Sequence, residues 1–179
     1  MSSLLLLRGA MGAGKSSVAL TLQTYVDKLI VIEIDDIKKE KYGTTEICNP
    51  KIDFAEAGIQ AKKALRDGYH VIVAEVLCEK QHVEYLLNGA EILDGIYDTS
   101  LSFIWLDCSV KTALRRNKTR FYPQIVKHQH RRYTTCIKYE NELVIQTDKL
   151  SITDVSHLVL KHFFKENDMQ ECISFRKKS

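Results

Sequence analysis

Eight consecutive residues near the start of the chain have the types and the spacing of a phosphate-binding loop. Residues 9–16 read GAMGAGKS and match the pattern G-x-x-x-x-G-K-[ST] at every fixed position. Glycines allow the backbone to wrap around an anion with its N–H groups pointing inward. Lys15 would bring a mobile cation to the β- and γ-phosphates, and Ser16 a hydroxyl to Mg²⁺. The pattern predicts binding of a nucleoside triphosphate with Mg²⁺.

The loop lies between a predicted strand and a predicted helix. Leu4–Leu7 is a short apolar run that would deliver the loop from a buried strand. The helix is predicted to begin near Gly14, so its unpaired N–H groups and its positive dipole end would also face the anion. The residues predicted to bind the nucleotide are therefore Gly9, Ala10, Met11, Gly12, Ala13, Gly14, Lys15, Ser16 and Ser17.

Two adjacent carboxylates, Asp35 and Asp36, follow the second apolar run of the chain. An enzyme that phosphorylates a hydroxyl needs a carboxylate to accept or orient the proton of that hydroxyl. We favour Asp35 for this role because it is nearer the strand end, and interpret Asp36 as a helix cap. The alternative is that both aspartates only cap the next helical turn. The lysines that follow could hold an anionic acceptor: Lys38, Lys39 and Lys41.

A third acidic residue, Glu75, ends the apolar run of residues 71–74. An acid after a buried strand resembles the Walker B arrangement, in which it reaches Mg²⁺ directly or through water. The metal residues predicted from the sequence are thus Ser16 and Glu75. A role for Glu75 in holding the acceptor remains open.

A dense basic cluster follows the fourth apolar run: Arg115, Arg116, Lys118 and Arg120. Arg116 and Arg120 are four residues apart, so one helical face can present both. Arginine donors can stabilise the charge that develops on a transferring phosphoryl group. The alternative is an ordinary solvated basic face. A further group is interpreted as a surface cluster, with a place at the mouth of the site left open: His128, His130, Arg131 and Arg132.

Apolar runs and amphipathic stretches alternate along the chain. The runs predict strands over residues 4–7, 29–34, 70–76, 101–106 and 143–146. Helical spacing covers residues 15–28, 53–67, 81–87, 110–118, 124–140 and 153–165. Continuous apolar strands separated by helices predict a parallel sheet covered on both faces. Right-handed crossovers would bring the carboxyl ends of the strands, and the candidate residues that follow them, to one edge.

Length and composition favour one enzyme-sized domain. The 179 residues are assigned to a single domain over residues 1–170 and a tail over residues 171–179. A net charge of +3 is too small to indicate nucleic acid binding, and no apolar run approaches the ~18 residues of a membrane helix. Five cysteines without a Cys-x-x-Cys pair favour reduced thiols and a cytoplasmic location.

Together these motifs resemble the small P-loop kinases of the nucleoside-monophosphate-kinase-like group, over roughly residues 3–165. The Asp35-Asp36 pair and the segment RNKTR, residues 116–120, resemble the aspartate pair and the R-N-x-x-R lid segment of phage-type polynucleotide kinases. The pattern is also similar to that of chloramphenicol-phosphotransferase-like and gluconate-kinase-like enzymes. In two places the sequence departs from the group. Glu75 stands where Asp is usual, and residues 36–60 carry lysines where monophosphate kinases carry arginines.

The resemblance implies a three-layer α/β P-loop NTPase fold with five parallel strands in the order 2-3-1-4-5 and helices on both faces. It implies a lid at about residues 115–125 and an acceptor region at about residues 36–60. Asp35 would be the catalytic base, Lys15 and Ser16 would hold the phosphates and the metal, Arg120 would be a lid arginine on the phosphates, and Arg116 would lie near the adenine.

The leading hypothesis is an ATP- and Mg²⁺-dependent kinase that phosphorylates a hydroxyl of a small molecule. A polynucleotide 5′-hydroxyl kinase is the second hypothesis, disfavoured by the small net charge and by the lack of a basic-aromatic stripe. A regulatory ATPase without an acceptor and a toxin-type kinase acting on a macromolecule are the others. We expect no membrane partner and either a monomer or a homodimer.

Overall fold

The computed structural model describes residues 2–92, 99–117, 122–133 and 135–164. These ranges contain a parallel sheet of five strands in the order β2-β3-β1-β4-β5, which confirms the predicted topology. The central strand pairs Leu7 with Ala74 on one side and with Ile104 on the other. The strand bounds are β1 Ser3–Gly9, β2 Leu29–Ile32, β3 His70–Ala74, β4 Ser100–Asp107 and β5 Leu143–Gln146.

Helices connect the strands and cover both faces of the sheet. Their bounds are α1 Lys15–Tyr25, α2 Ile34–Tyr42, α3 Pro50–Arg66, α4 Lys80–Gly89, α5 Val110–Arg116, α6 Pro123–Tyr133 and α7 Ile152–Phe163. None of the helices in the described ranges combines the length and the apolarity needed to cross a membrane.

The leucine run of β1 explains why the sheet has a hydrophobic layer on each side. Side chains alternate across a strand, so Leu5 and Leu7 enter a core shared with α1 and α7. Leu4 and Leu6 enter a second core shared with α3 and α4. All four are fully buried, and each such leucine stabilises the fold by about 1.5–3 kcal/mol. The central strand is thus a rigid support for the loop that leaves its carboxyl end.

Arg8 continues this buried strand and ties two distant segments together. Its guanidinium is fully buried and donates to the carbonyl oxygens of Leu77 and Ile137 and to the Glu142 carboxylate. A buried charge is tolerated only when it is paired and hydrogen-bonded in this way. Arg8 thereby holds the loop after β3 and the connection between α6 and β5 against the end of β1.

These tertiary contacts explain why two helix bounds differ from the predicted ones. The helix expected over residues 124–140 ends at Tyr133, because the chain that follows is held in a non-helical path through Ile137. Helix α3 begins at Pro50, capped by the side chain of Asn49, and not at Asp53. Asp53 is instead buried, and accepts hydrogen bonds from the Tyr42 hydroxyl and the Asn49 N–H, each at 2.8 Å.

The expectation of reduced thiols is wrong for one pair of cysteines. Cys78 and Cys136 form a disulfide with Cα atoms 4.5 Å apart, although 58 positions separate them in the sequence. The fold brings them together because the Ile137 N–H donates to the Cys78 carbonyl oxygen. Cys48 is exposed and Cys108 is buried, and both are free. Cysteine usage therefore does not by itself indicate a reducing compartment.

Candidate active site

A cavity of about 400 Å³ opens at the carboxyl ends of β1, β2 and β3. On one side it is lined by the loop after β1 together with Arg116, Thr147 and the start of α7; we call this the loop half. On the other side it is lined by three acidic residues, which we call the carboxylate half: Glu33, Asp35 and Glu75. The cavity thus brings together residues that the sequence places far apart.

Backbone geometry in the loop half fits an anion. Gly12 and Gly14 have φ angles of +80° and +103°, which favour glycine over other residues. A Cβ atom on Gly9 would collide with the Leu106 carbonyl oxygen, so a side chain is excluded there. Helix α1 begins at Lys15 directly after the loop, and its first N–H groups are available to a ligand. The loop residues from Met11 to Ser17 line the cavity, whereas Gly9 and Ala10 of the predicted set lie outside its lining.

The Lys15 ammonium group lies between the loop and the acidic residues. Its Nζ donates to the carbonyl oxygens of Gly9 at 2.9 Å and Ala10 at 3.2 Å. Burial lowers the pKa of Lys15, and the negative charge of Glu75, with smaller effects of Glu33 and Asp35, opposes that shift. An ammonium group whose hydrogen-bond partners among the described residues are carbonyl oxygens would gain from an incoming phosphate.

The two adjacent aspartates occupy different environments. Asp35 lines the cavity, and its side chain is 37% exposed and 3.6 Å from Lys38. Asp36 lies outside the cavity lining, with a side chain that is 69% exposed and 2.9 Å from Lys39. The interpretation of Asp36 as a helix cap is wrong, because Glu33 occupies the N-cap position of α2. Asp35 is therefore the aspartate of the pair that a ligand in the cavity can reach.

Glu75 and Glu33 complete the carboxylate half. Glu75 directly follows β3, its N–H donates to the Leu7 carbonyl oxygen, and its carboxylate accepts from the Val76 N–H at 2.7 Å. Glu33 follows β2 at the same sheet edge. Glu33 was not predicted as a site residue because it fell inside the strand predicted over residues 29–34, whereas β2 ends at Ile32.

The hard oxygen donors around the cavity suit Mg²⁺. Ser16 supplies a hydroxyl and the carboxylate half supplies acidic oxygens. Across the described ranges, no three His, Cys, Asp or Glu side chains lie close enough together to hold a metal ion by themselves. Such a donor set fits Mg²⁺, which typically completes its shell with water and substrate phosphates.

Arg116 connects the loop half to the end of the sheet. It donates to the carbonyl oxygens of Gly12 and Ala13, both at 3.3 Å, and to the Thr147 hydroxyl and carbonyl oxygens at 3.0 and 2.6 Å. Thr147 is itself buried, and its hydroxyl donates toward the Ala13 carbonyl oxygen. Thr147 was not predicted as a site residue, because no local sequence pattern distinguishes a threonine that follows a short strand.

Part of the cavity wall is apolar, which suits the flat base of a nucleotide. Its lining there includes Leu150, Ile152 and Val155. That Arg116 lies near the adenine stays a prediction. Lys118 and Arg120 of the same basic cluster lie outside the described residues, so the lid role of Arg120 stays a prediction.

The basic and histidine cluster on α6 is only partly a surface feature. Arg132 is exposed and pairs with Glu79 at 3.2 Å, as a surface group would. His130 lies at the candidate site, the alternative left open for this cluster, because its ring Nε2 is 3.0 Å from the Met11 carbonyl oxygen in the phosphate-binding loop. Helix α6 therefore contacts the candidate site directly.

Comparison with known proteins identifies the fold. No protein-family model matches the sequence, and no curated protein matches it. Among solved structures, the Deinococcus radiodurans tunicamycin resistance protein matches with a TM-score of 0.65 and 14% identity, over 90% of this chain and 95% of that chain. A sugar kinase from Janibacter sp. matches with a TM-score of 0.62 and 15% identity, over 90% and 94%. The chain has the fold of the small P-loop kinases.

A further match is a P-loop kinase solved with ligands. The Mycobacterium tuberculosis APS kinase in complex with AMPPNP and APS gives a TM-score of 0.58 and 15% identity, over 95% of this chain and 98% of that chain. The likeness establishes the P-loop kinase fold, and the chemistry must be argued from the residues of this chain.

Proposed function

We propose that the protein is an ATP- and Mg²⁺-dependent kinase that transfers the γ-phosphoryl group to a hydroxyl of a small molecule. The observation that carries the proposal is that a phosphate-binding loop and the Asp35 carboxylate line one cavity of about 400 Å³. A nucleotide-binding site alone would need only the loop. A carboxylate facing the same space supplies what a hydroxyl acceptor requires.

The loop half would bind the triphosphate. The N–H groups of the loop and of the first turn of α1 would surround the phosphates, and Lys15 would exchange its two carbonyl partners for phosphate oxygens. Arg116 would hold the loop against Thr147 beside the base. Mg²⁺ held by Ser16 and Glu75 would neutralise part of the phosphate charge.

The carboxylate half would hold the acceptor. Asp35 would accept a hydrogen bond from the acceptor hydroxyl and take its proton as the oxygen attacks the γ-phosphorus. The bond from the γ-phosphorus to the oxygen that bridges it to the β-phosphate breaks, and ADP leaves. Lys15 would stabilise the negative charge that develops on the phosphoryl oxygens. The products are ADP and a phosphate monoester of the acceptor.

Two features favour a small acceptor over a polynucleotide. The cavity of about 400 Å³ has the size of a small-molecule site. A net charge of +3 is small for a protein that binds a phosphate backbone. One structure of the same fold is named a sugar kinase, which supports testing polyols first.

The experiment that tests the proposal follows label from [γ-³²P]ATP with Mg²⁺ into separate pools of acceptors. The pools are nucleosides, nucleoside monophosphates, sugars and sugar acids, hydroxyl-bearing antibiotics, and 5′-hydroxyl oligonucleotides. Lys15→Ala, purified in the same way, controls for contaminating kinases. Label that forms a phosphate monoester in a small-molecule pool only with the wild type supports the proposal, whereas label that turns nucleoside monophosphates into diphosphates contradicts the hydroxyl acceptor. Label that enters only oligonucleotides, or is released only as free phosphate, contradicts it in favour of a polynucleotide kinase or a regulatory ATPase.

A further inference from the structure

Two side chains of α6 contact one peptide of the phosphate-binding loop. The Met11 N–H donates to the Tyr133 hydroxyl oxygen at 3.2 Å. The Met11 carbonyl oxygen lies 3.0 Å from His130 Nε2. A carbonyl oxygen can only accept, so His130 carries its proton on Nε2 and donates it. Both polar backbone atoms of Met11 are therefore satisfied by a helix that lies more than 100 positions later in the sequence.

The spacing of α6 places this pair on its inward face. Val126, His130 and Tyr133 are separated by four and three positions, and Val126 is fully buried in the core. The rings of His130 and Tyr133 pack edge to face at 5.5 Å, and Tyr133 also packs against Trp105 at 6.1 Å. Burial raises the pKa of the Tyr133 hydroxyl, so it remains protonated at neutral pH. The two groups are fixed by packing before any ligand arrives.

The phosphate-binding loop has few hydrogen bonds of regular secondary structure to hold its conformation. Met11 lies between Gly9 and Gly12, where the backbone lacks the hydrogen-bond ladder of a helix or strand. Met11 also lines the cavity that would hold the triphosphate. When only a fraction of the molecules has a binding-competent loop, the apparent Kd rises in inverse proportion to that fraction.

We propose that Tyr133 and His130 are positioning residues that hold the Met11 peptide, and with it the phosphate-binding loop, in the conformation that accepts a triphosphate. The inference rests on the proposed nucleotide binding at this loop. It makes α6 a determinant of nucleotide affinity, although neither side chain is assigned a contact with the nucleotide. Because they act through Met11, neither is expected to affect the phosphoryl-transfer step itself.

The test uses variants that each remove one hydrogen bond, and Tyr133→Phe also keeps the ring packing. Tyr133→Phe is expected to raise the Kd for ATP and for ADP by about 3- to 10-fold, the effect of one hydrogen bond on the competent fraction. His130→Leu should have a similar effect, and His130→Gln should restore affinity because its amide can donate to the same carbonyl oxygen. Controls are Tyr69→Phe and His162→Leu, which lie away from the loop.

Two further measurements separate positioning from general destabilisation. In steady-state turnover the variants should raise KM for ATP and leave kcat within about twofold. Exchange of the Met11 amide hydrogen, followed by NMR without nucleotide, should accelerate in Tyr133→Phe more than exchange at amides in the sheet core.

Three results would overturn the inference. One is a Kd within twofold of the wild type in both Tyr133→Phe and His130→Leu. Another is a loss of kcat with KM unchanged. The third is an increase in Kd that His130→Gln fails to reverse. Wild-type protein that does not bind ATP or ADP would instead overturn the proposed function together with this inference, so the two failures are distinguishable.

Discussion

The two halves of the cavity are built in different ways. The loop half is formed largely by backbone groups of one contiguous segment, residues 9–17, set between a fully buried strand and a helix N-terminus. The carboxylate half is formed by side chains from separate places in the sequence, Glu33 and Asp35 near β2 and Glu75 after β3. A backbone site tolerates many side chains but demands glycines, whereas a side-chain site depends on each residue.

This difference indicates which half determines what the protein does. Phosphate recognition by N–H groups and one lysine is compatible with any nucleotide-dependent reaction. The choice of acceptor must come from the side chains of the carboxylate half and from the chain between α2 and α3, where Cys48 lies near Lys38 and Asp53. Substitutions in the carboxylate half should therefore change chemistry, and substitutions in the loop half should change nucleotide binding.

The largest effect is expected at Asp35. Asp35→Asn keeps the size of the side chain and removes the carboxylate that would take the acceptor proton. Phosphoryl transfer should fall by about 10²- to 10⁴-fold, with the Kd for ATP within about twofold. The measurement is single-turnover transfer to the acceptor found by the pooled assay, together with calorimetric titration of ATP.

Asp36→Asn is the matched control for this prediction. Asp36 lies on the same turn of α2, and it also pairs with a lysine three positions later. Loss of either exposed ion pair should change the free energy of unfolding by less than about 1 kcal/mol. Equal loss of transfer in the two variants would exclude a specific role for Asp35. A selective loss of ATP binding in Asp35→Asn would mean that the two halves are not separate in function.

The next effect is expected in the loop half, at Arg116. Arg116→Ala removes donors to Gly12, Ala13 and Thr147, which hold the loop against the end of β5. Because hydrogen bonds from a charged donor contribute about 1.5–3 kcal/mol, the Kd for ATP should rise at least about 10-fold. Fluorescence titration with a labelled ATP analogue measures this change. Lys111→Ala, exposed near the start of α5, should bind as the wild type does.

Arg116 also tests how separate the halves are. If it only supports nucleotide binding, transfer at saturating ATP should be close to that of the wild type. A large loss of kcat at saturating ATP would instead indicate that Arg116 stabilises the transferring phosphoryl group, the role predicted for the arginines of the basic cluster.

Features that depend on neighbouring residues were predicted correctly from the sequence. The loop of residues 9–16 is defined by spacing alone, and the apolar runs correctly predict a parallel sheet with its carboxyl ends at one edge. Asp35 and Glu75 could be placed at that edge because each follows a strand. The strand order came from the resemblance to small P-loop kinases and is confirmed.

Features that depend on distant contacts could not be predicted in this way. Thr147 and Tyr133 reach the loop from more than 100 positions away, and no local pattern marks either residue. The end of α6 is set by Arg8 and by the Cys78–Cys136 disulfide, so helical spacing beyond Tyr133 was misleading. Helix α3 begins three residues before the predicted start at residue 53, because Asn49 caps it and the Asp53 carboxylate is occupied by Tyr42 and the Asn49 N–H.

The smallest effect concerns the two free cysteines, one near each half. Cys108 is buried behind the loop half, and burial raises its pKa to about 11. Cys48 is exposed beside the carboxylate half, and burial raises its pKa to a smaller extent. Only the thiolate reacts with iodoacetamide, so its rate should rise about tenfold for each pH unit below the pKa. Peptide mass analysis between pH 7 and pH 10 should show alkylation of Cys48 first, while Cys108 stays protected.

The same labelling compares solvent access to the chain beside the carboxylate half with solvent access to the core behind the loop half. Cys48→Ser should abolish the early label, which assigns it. Bound ADP should leave the rate at Cys48 unchanged if the thiol lies outside the nucleotide space. Alkylation of Cys108 at a rate similar to that of Cys48 at pH 8 would mean that the core behind the loop opens readily. In that case the rigid support by β1 and α6 would have to be abandoned as the reason for nucleotide affinity.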